Sequence, residues 1–135
     1  MREFVIAWAA TAIAFVALDA IWLSIAASRL YRPLLGPLLR EDYGLAPAAA
    51  FYVLYTLGVV VFAVLPSLGS PGWGAALARG AFFGLVGFGV YDLTNQATLR
   101  GWSLTVTLAD LAWGAALTAI ATVAGLYAAR TFAQG

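Results

Sequence analysis

Residues 74–114 read GAALARGAFFGLVGFGVYDLTNQATLRGWSLTVTLADLAWG. An apolar run from Gly74 to Ala97 meets a second from Leu104 to Ala129 across the tight turn Arg100-Gly101-Trp102. Each run is near the roughly 20 residues that a bilayer demands of a helix. The stretch therefore predicts a membrane-embedded helical hairpin, and each arm carries one acid, Asp92 or Asp110. A charge at the centre of a membrane helix costs roughly 2.5 to 3.5 kcal/mol on insertion scales. Such residues must be paired, hydrated, protonated or used.

Working outward, two further apolar segments precede the hairpin, from Phe4 to Ala27 and from Pro47 to Leu65. Pro66, Gly69, Ser70, Pro71 and Gly72 punctuate the join to the third, and Trp73 and Trp102 stand at segment ends, where indole rings favour the headgroup layer. The first segment contains a third acid, Asp19, and is too long for a signal-peptide core, so it reads as a retained helix. The expected fold is all-α: an integral membrane four-helix bundle, residues 1–135 forming one four-span transmembrane domain.

The longest link, Ser28 to Ala46, holds Arg29, Arg32, Arg40, Glu41 and Asp42. Pro33 and Pro37 argue against one continuous helix there. Its leucines still offer one apolar side, so the link reads as a short interfacial segment between helices one and two, with an ordinary amphipathic loop as the alternative. Counting arginines by side, Arg29, Arg32, Arg40 and Arg100 face Arg2, Arg79 and Arg130. That count leans towards a cytoplasmic location for the arginine-bearing links.

Composition agrees and excludes much. Of 135 residues, 64% are hydrophobic and 10% charged, against about 25% charged in soluble domains. Mean hydropathy is +0.93. The chain has no Lys, His or Cys. Schiff-base cofactors, the usual haem ligands, zinc and iron–sulfur sites, disulfides and thiol chemistry are thereby excluded, and no cofactor or metal is expected. A net charge of +1 offers nucleic acid no footprint.

Depth then organises the acids. Asp19 lies eight residues before Ala27, Asp92 eight before Arg100, and Asp110 eight after Trp102. At about 1.5 Å per residue, all three fall about 12 Å below one membrane face. Asp92, Asn95 and Gln96 share a helix face at i, i+3 and i+4, with Thr94 and Thr98 nearby. Thr107, Asp110, Gly114, Thr118 and Gly125 trace a small, polar stripe that should face other helices or a cavity. Trp22 and Trp113 each follow an aspartate by three residues and can donate to a carboxylate. The echo of Asp19-Ala20-Ile21-Trp22 in Asp110-Leu111-Ala112-Trp113 hints at an inverted duplication. Gly80, Gly84 and Gly87 allow close helix approach, within the chain or, through G-x-x-x-G, in a homo-oligomer.

The stretch Tyr91-Asp92-Leu93-Thr94-Asn95-Gln96-Ala97-Thr98-Leu99-Arg100-Gly101-Trp102, continued by Val106-Thr107, Asp110 and Trp113-Gly114, resembles a bacterial membrane-protein family defined only as a domain of unknown function. Asp19-x-x-Trp22 and Tyr31-Arg32 fit the same pattern, so the resemblance covers essentially the whole chain. It implies a four-helix protein of the bacterial inner membrane and brings no activity with it.

Three functions fit. The aspartates can be polar glue in a structural or accessory subunit, met by Arg29, Arg32 and Arg100 from the same face. They can form a proton-sensitive site, since crowded carboxylates cannot all ionise, that binds or transports a small or amphiphilic ligand. Small multidrug exporters are similar in size and layout, without a shared wider pattern. A lipid-handling enzyme comes third, because neither a nucleophile-plus-base pair nor a D-x-x-D metal cluster is visible. The expected site is Asp19, Asp92, Asp110, Asn95 and Gln96, supported by Trp22, Trp113, Thr107 and Arg100.

Overall fold

A computed structural model describes residues 1–39 and 44–133. Among them four helices are long and apolar enough to cross a membrane. They are α1 (Arg2–Ala26), α2 (Leu45–Val59), α3 (Gly74–Thr98) and α4 (Leu104–Ala128). Their surface is apolar: Ile13, Leu54, Phe62, Phe82, Val90 and Leu108 are all exposed. An exterior of this kind is stable only against lipid.

Three of the four helices continue past these bounds. After α1 the chain takes a wide π turn at Ala27–Tyr31, an α turn at Arg32–Leu35 and a 3-10 turn at Gly36–Leu38. The expected break at Pro33 is therefore corrected, since one helical path runs for 37 residues from Arg2 to Leu38. At 1.5 Å per residue it is about 55 Å long, well beyond the roughly 30 Å of hydrocarbon. The physical reason lies in the π turn. Proline's ring collides with the carbonyl four residues back, here that of Arg29, which lies inside the widened turn. The device recurs in α2, where a π turn at Val60–Val64 contains Phe62, four residues before Pro66. Arg40, Glu41 and Asp42 of the expected interfacial link lie outside the described residues.

Gly72 and Gly101 turn the chain between helices with positive φ, 67° and 76°, which other residues rarely adopt. Ser103 then caps α4, its hydroxyl accepting the Val106 N–H at 3.3 Å. α3 and α4 make the most extensive contact in the bundle. Gly80 faces Thr118, Ala119 and Thr122, and Gly84 faces the Gly114 backbone, so G-x-x-x-G serves packing inside the chain.

α1 packs on α4 and α2, whereas α2 approaches α3 and α4 closely through Val60–Val64. Around that turn lies a core of Ala7, Val59, Val60, Ala63, Val64, Ala76, Leu126 and Ala129. Arg130 ties this end together by donating to the carbonyls of Ser67, Leu68, Ser70 and Gly72. Arg2 reaches the Phe132 carbonyl and Arg79 the Ser67 hydroxyl. Carbonyls left over at a helix C-terminus thus find cationic donors. Towards the other end, rings replace small residues: Phe15, Phe51, Tyr52, Tyr55 and Phe88 stack and tilt against one another. Gly87 leaves room for Tyr55, and Gly114 for Phe88.

Candidate functional site

Beyond this ring layer is a cavity of about 310 Å³. Asp19 from α1, Asp92 from α3 and Asp110 from α4 all line it, with Trp22, Tyr31, Phe51, Phe88, Tyr91 and Trp113. The three acids thus meet at one cavity. The measuring point at Ala27 does not survive, because the first helix continues beyond it.

The acids differ in how the protein satisfies them. Asp19, 8% exposed, accepts the Tyr52 hydroxyl on Oδ2 at 2.7 Å and the Trp113 indole N–H on Oδ1 at 3.3 Å. Asp110, also 8% exposed, accepts the Tyr31 hydroxyl on Oδ1. Tyr31 in turn accepts the Trp22 indole N–H at 2.9 Å. Asp92 is 0% exposed, and neither of its oxygens finds an N–H or O–H donor among the described residues. The polar group it meets is the Asp110 carboxyl. Two acceptors can face each other only if a proton, or a cation, lies between them.

Trp22 and Trp113 stack at 4.9 Å between centroids and 10° between planes. The sequence echo acquires a structural meaning here. Each tryptophan serves the other helix's aspartate, Trp113 directly and Trp22 through Tyr31. The i+3 spacing does not bring either indole to its own aspartate.

Several expected contributors lie elsewhere. Gln96 accepts the Thr107 hydroxyl at 2.9 Å and donates to the Trp102 carbonyl at 3.2 Å, while the Trp102 indole donates to Thr107 at 3.0 Å. Gln96 and Thr107 therefore lock the α3–α4 turn. Asn95 is half-buried beside Tyr91, not on the cavity wall. Thr94 and Thr98 are exposed and bond back to their own helix, at Val90 and Thr94. The rest of the α4 stripe is buried as expected: Thr107, Gly114, Thr118 and Gly125.

Arg29, Arg32 and Arg100 are exposed, and among the described residues no arginine bonds any of the three aspartates. The expected arginine pairing is replaced by aromatic donors, which satisfy a carboxyl without bringing a second charge out of water. Two donors to the acids were missing from the expected site, Tyr31 and, on α2, Tyr52. The signal for Tyr52 was available, because Tyr52, Tyr55 and Thr56 share one face of α2 at i, i+3 and i+4. Among the described residues no three acidic, histidine or cysteine side chains are arranged to hold a metal ion.

Residues 4–127 match the family DUF2177, described as predicted membrane protein. The chain belongs to that family. No curated protein and no solved structure matches it. As a DUF2177 member with four apolar helices, it is a multi-pass membrane protein.

Proposed function

We propose that this DUF2177 protein carries a proton-sensitive carboxyl site that binds or transports a small or amphiphilic ligand, in a bacterial inner membrane. The observation that carries the reading is the Asp92–Asp110 pair, with Asp92 fully buried and supplied with no donor. Two unit charges 4 Å apart repel by about 4 kcal/mol even at an effective dielectric of 20. The empty pair therefore holds one proton, and a cationic or polar group entering beside Asp110 supplies an alternative partner and releases it. Proton and ligand then compete for one place, which is the elementary requirement for exchange.

Asp19 favours a second reading at its own position. Both of its oxygens are already met by Tyr52 and Trp113, so it clamps α1 to α2 and α4. On this division of labour Asp19 shapes the cavity, and Asp92 with Asp110 does the exchanging.

The test uses purified protein in sealed vesicles containing a pH-sensitive dye, challenged with cationic, zwitterionic and anionic lipophilic dyes. Saturable proton movement that accompanies at least one dye, and that disappears in Asp92→Asn and Asp110→Asn, is the expected result. Infrared difference spectra should also show a protonated carboxyl band that Asp92→Asn removes. Spectra without such a band, or flux indifferent to both substitutions, would refute the proposal.

A further inference from the structure

A second cavity, of about 680 Å³, adjoins the first and is lined by Ala20, Leu23, Ser24, Ala27, Tyr31 and Ala48 among others. Leu23 and Tyr31 belong to the walls of both cavities. The contrast in chemistry is sharp. Among the described residues the inner cavity has three carboxyls and six aromatic side chains on its wall and no basic residue. The outer one, among the same residues, is walled mainly by alanine and leucine, and Ala20, Leu23 and Ala48 are exposed at the bundle surface.

We infer that the ligand is an amphiphilic organic cation, its ammonium head group in the carboxyl cavity and its alkyl tail in the adjoining groove. This deepens the exchange reading above and rests on it. Acidic walls without a counter-charge select positive ligands. Aromatic faces select among them, because a ring attracts an alkylated ammonium but cannot replace the oxygen shell of a small inorganic cation. A volume of about 310 Å³ is at the lower end of small-molecule sites, suited to a head group more than to a whole amphiphile. The rest of such a molecule needs an apolar space reached through the same wall, and the groove behind Leu23 and Tyr31 supplies it.

Tyr31 stands where the head group must pass. Its hydroxyl is held between the Trp22 N–H and the Asp110 carboxyl. A cation arriving at Asp110 takes over the place of that hydroxyl, and the proton shared with Asp92 is no longer required. Tyr31 is in this account a gate between groove and carboxyls. It follows the π turn's course at Ala27–Tyr31, where the helix departs from regular winding.

The experiment compares ligands of one chain length on protein in lipid nanodiscs. Dodecyltrimethylammonium, dodecylphosphocholine and dodecyl sulfate are titrated while near-ultraviolet circular dichroism follows the stacked Trp22–Trp113 pair. The ammonium should bind at least tenfold more tightly than the zwitterion, and the sulfate should leave the signal unchanged. Tetramethylammonium, which has a head and no tail, should bind at least tenfold more weakly than its dodecyl counterpart. Ala48→Trp, which fills the groove from its lipid side, should remove that advantage of the tail while the response to tetramethylammonium persists. Preservation of the stacked-pair signal in the ligand-free variant establishes that it is folded, and Ala20→Trp serves as a second groove-filling variant. Equal affinity for ammonium and zwitterion would overturn the cation assignment. Unchanged dodecyltrimethylammonium binding in both folded groove variants would overturn the placement of the tail. In either case the protonated-carboxyl band still judges the exchange reading separately.

Discussion

The two ends of this bundle solve the same problem in opposite ways. At the end holding the termini, glycine, alanine and threonine bring backbones together, and Gly125 lies against Thr11 and Ala7. Towards the other end, tryptophan, tyrosine and phenylalanine hold the helices around a cavity edged by acids. Small residues give helices in lipid close contact where hydrophobic burial gives no advantage over lipid itself. Rings give the opposite: rigid walls, polar tips and space between them. The first end is therefore a clamp, and the second frames the cavity of the proposed site.

The largest effect should come from breaking the clamp. A Cβ at Gly84 would run into the Gly114 carbonyl, which belongs to backbone and cannot swing aside. Overpacking a core costs about 1–3 kcal/mol, and a collision with backbone belongs at or above the top of that range. Gly84→Leu should yield little monodisperse protein by size-exclusion chromatography. Gly69→Ala, where nothing beyond the chain neighbours lies within 4 Å of the added carbon, should behave as wild type. Normal yield and thermal midpoint for Gly84→Leu would mean that the two ends are not packed differently at all.

Next comes the site, where the sign reverses. Asp92→Leu replaces a buried carboxyl lacking a donor with an apolar side chain of comparable reach. It should raise stability by about 1–3 kcal/mol and abolish ligand response and proton movement together. Loss of stability would mean that the proton shared with Asp110 binds the pair more strongly than the burial of Asp92 costs.

How much of this contrast the chain announces depends on the range of the interaction. Four spans were legible because twenty apolar residues in a row have few other meanings, and three of them begin and end near the expected limits, while the first runs on past Ala27 to Leu38. Convergence of Asp92 and Asp110 followed from topology, since antiparallel helices joined by a short turn share their depths, whereas Asp19 joins them although its helix runs on past Ala27. Azimuth was harder. Sharing a helix face with Asp92 did not make Gln96 a cavity residue, because one further turn brings it level with Trp102 and Thr107. Tyr31 reaches Asp110 from the last position of a π turn, and apolar periodicity carries no mark of such a turn. Tyr52 was hidden in an apolar run whose hydropathy masks its hydroxyl.

A smaller change sharpens the division within the site itself. Trp113→Phe keeps a ring but deletes the N–H donated to Asp19 and disturbs the stack on Trp22. One hydrogen bond to a carboxyl and part of an aromatic pair amount to about 1–3 kcal/mol. The near-ultraviolet signal of the stacked pair should vanish, and thermal stability should fall by a corresponding step. An unaltered signal would show that the stack does not exist in the membrane.

The smallest effect should come from Thr11, which tests the comparison most closely because it shares a property with Asp92. Its hydroxyl is buried, at 0% exposure of the residue, and finds no partner among the described residues. Yet it lies in the clamp, against Gly125, and is not among the residues lining the carboxyl cavity. An unpartnered polar atom there has nothing to bind, so its value is the volume it fills. Thr11→Val keeps that shape and removes an unsatisfied hydroxyl, so chemical or thermal unfolding should show a change of no more than about 1 kcal/mol, in the stabilising direction. Ligand response should be untouched, in contrast to Asp92→Leu. Destabilisation by more than that amount would mean the Thr11 hydroxyl is satisfied within the clamp. Altered ligand response would mean that the influence of the site reaches across the ring layer, and that the two ends of the bundle work as one device.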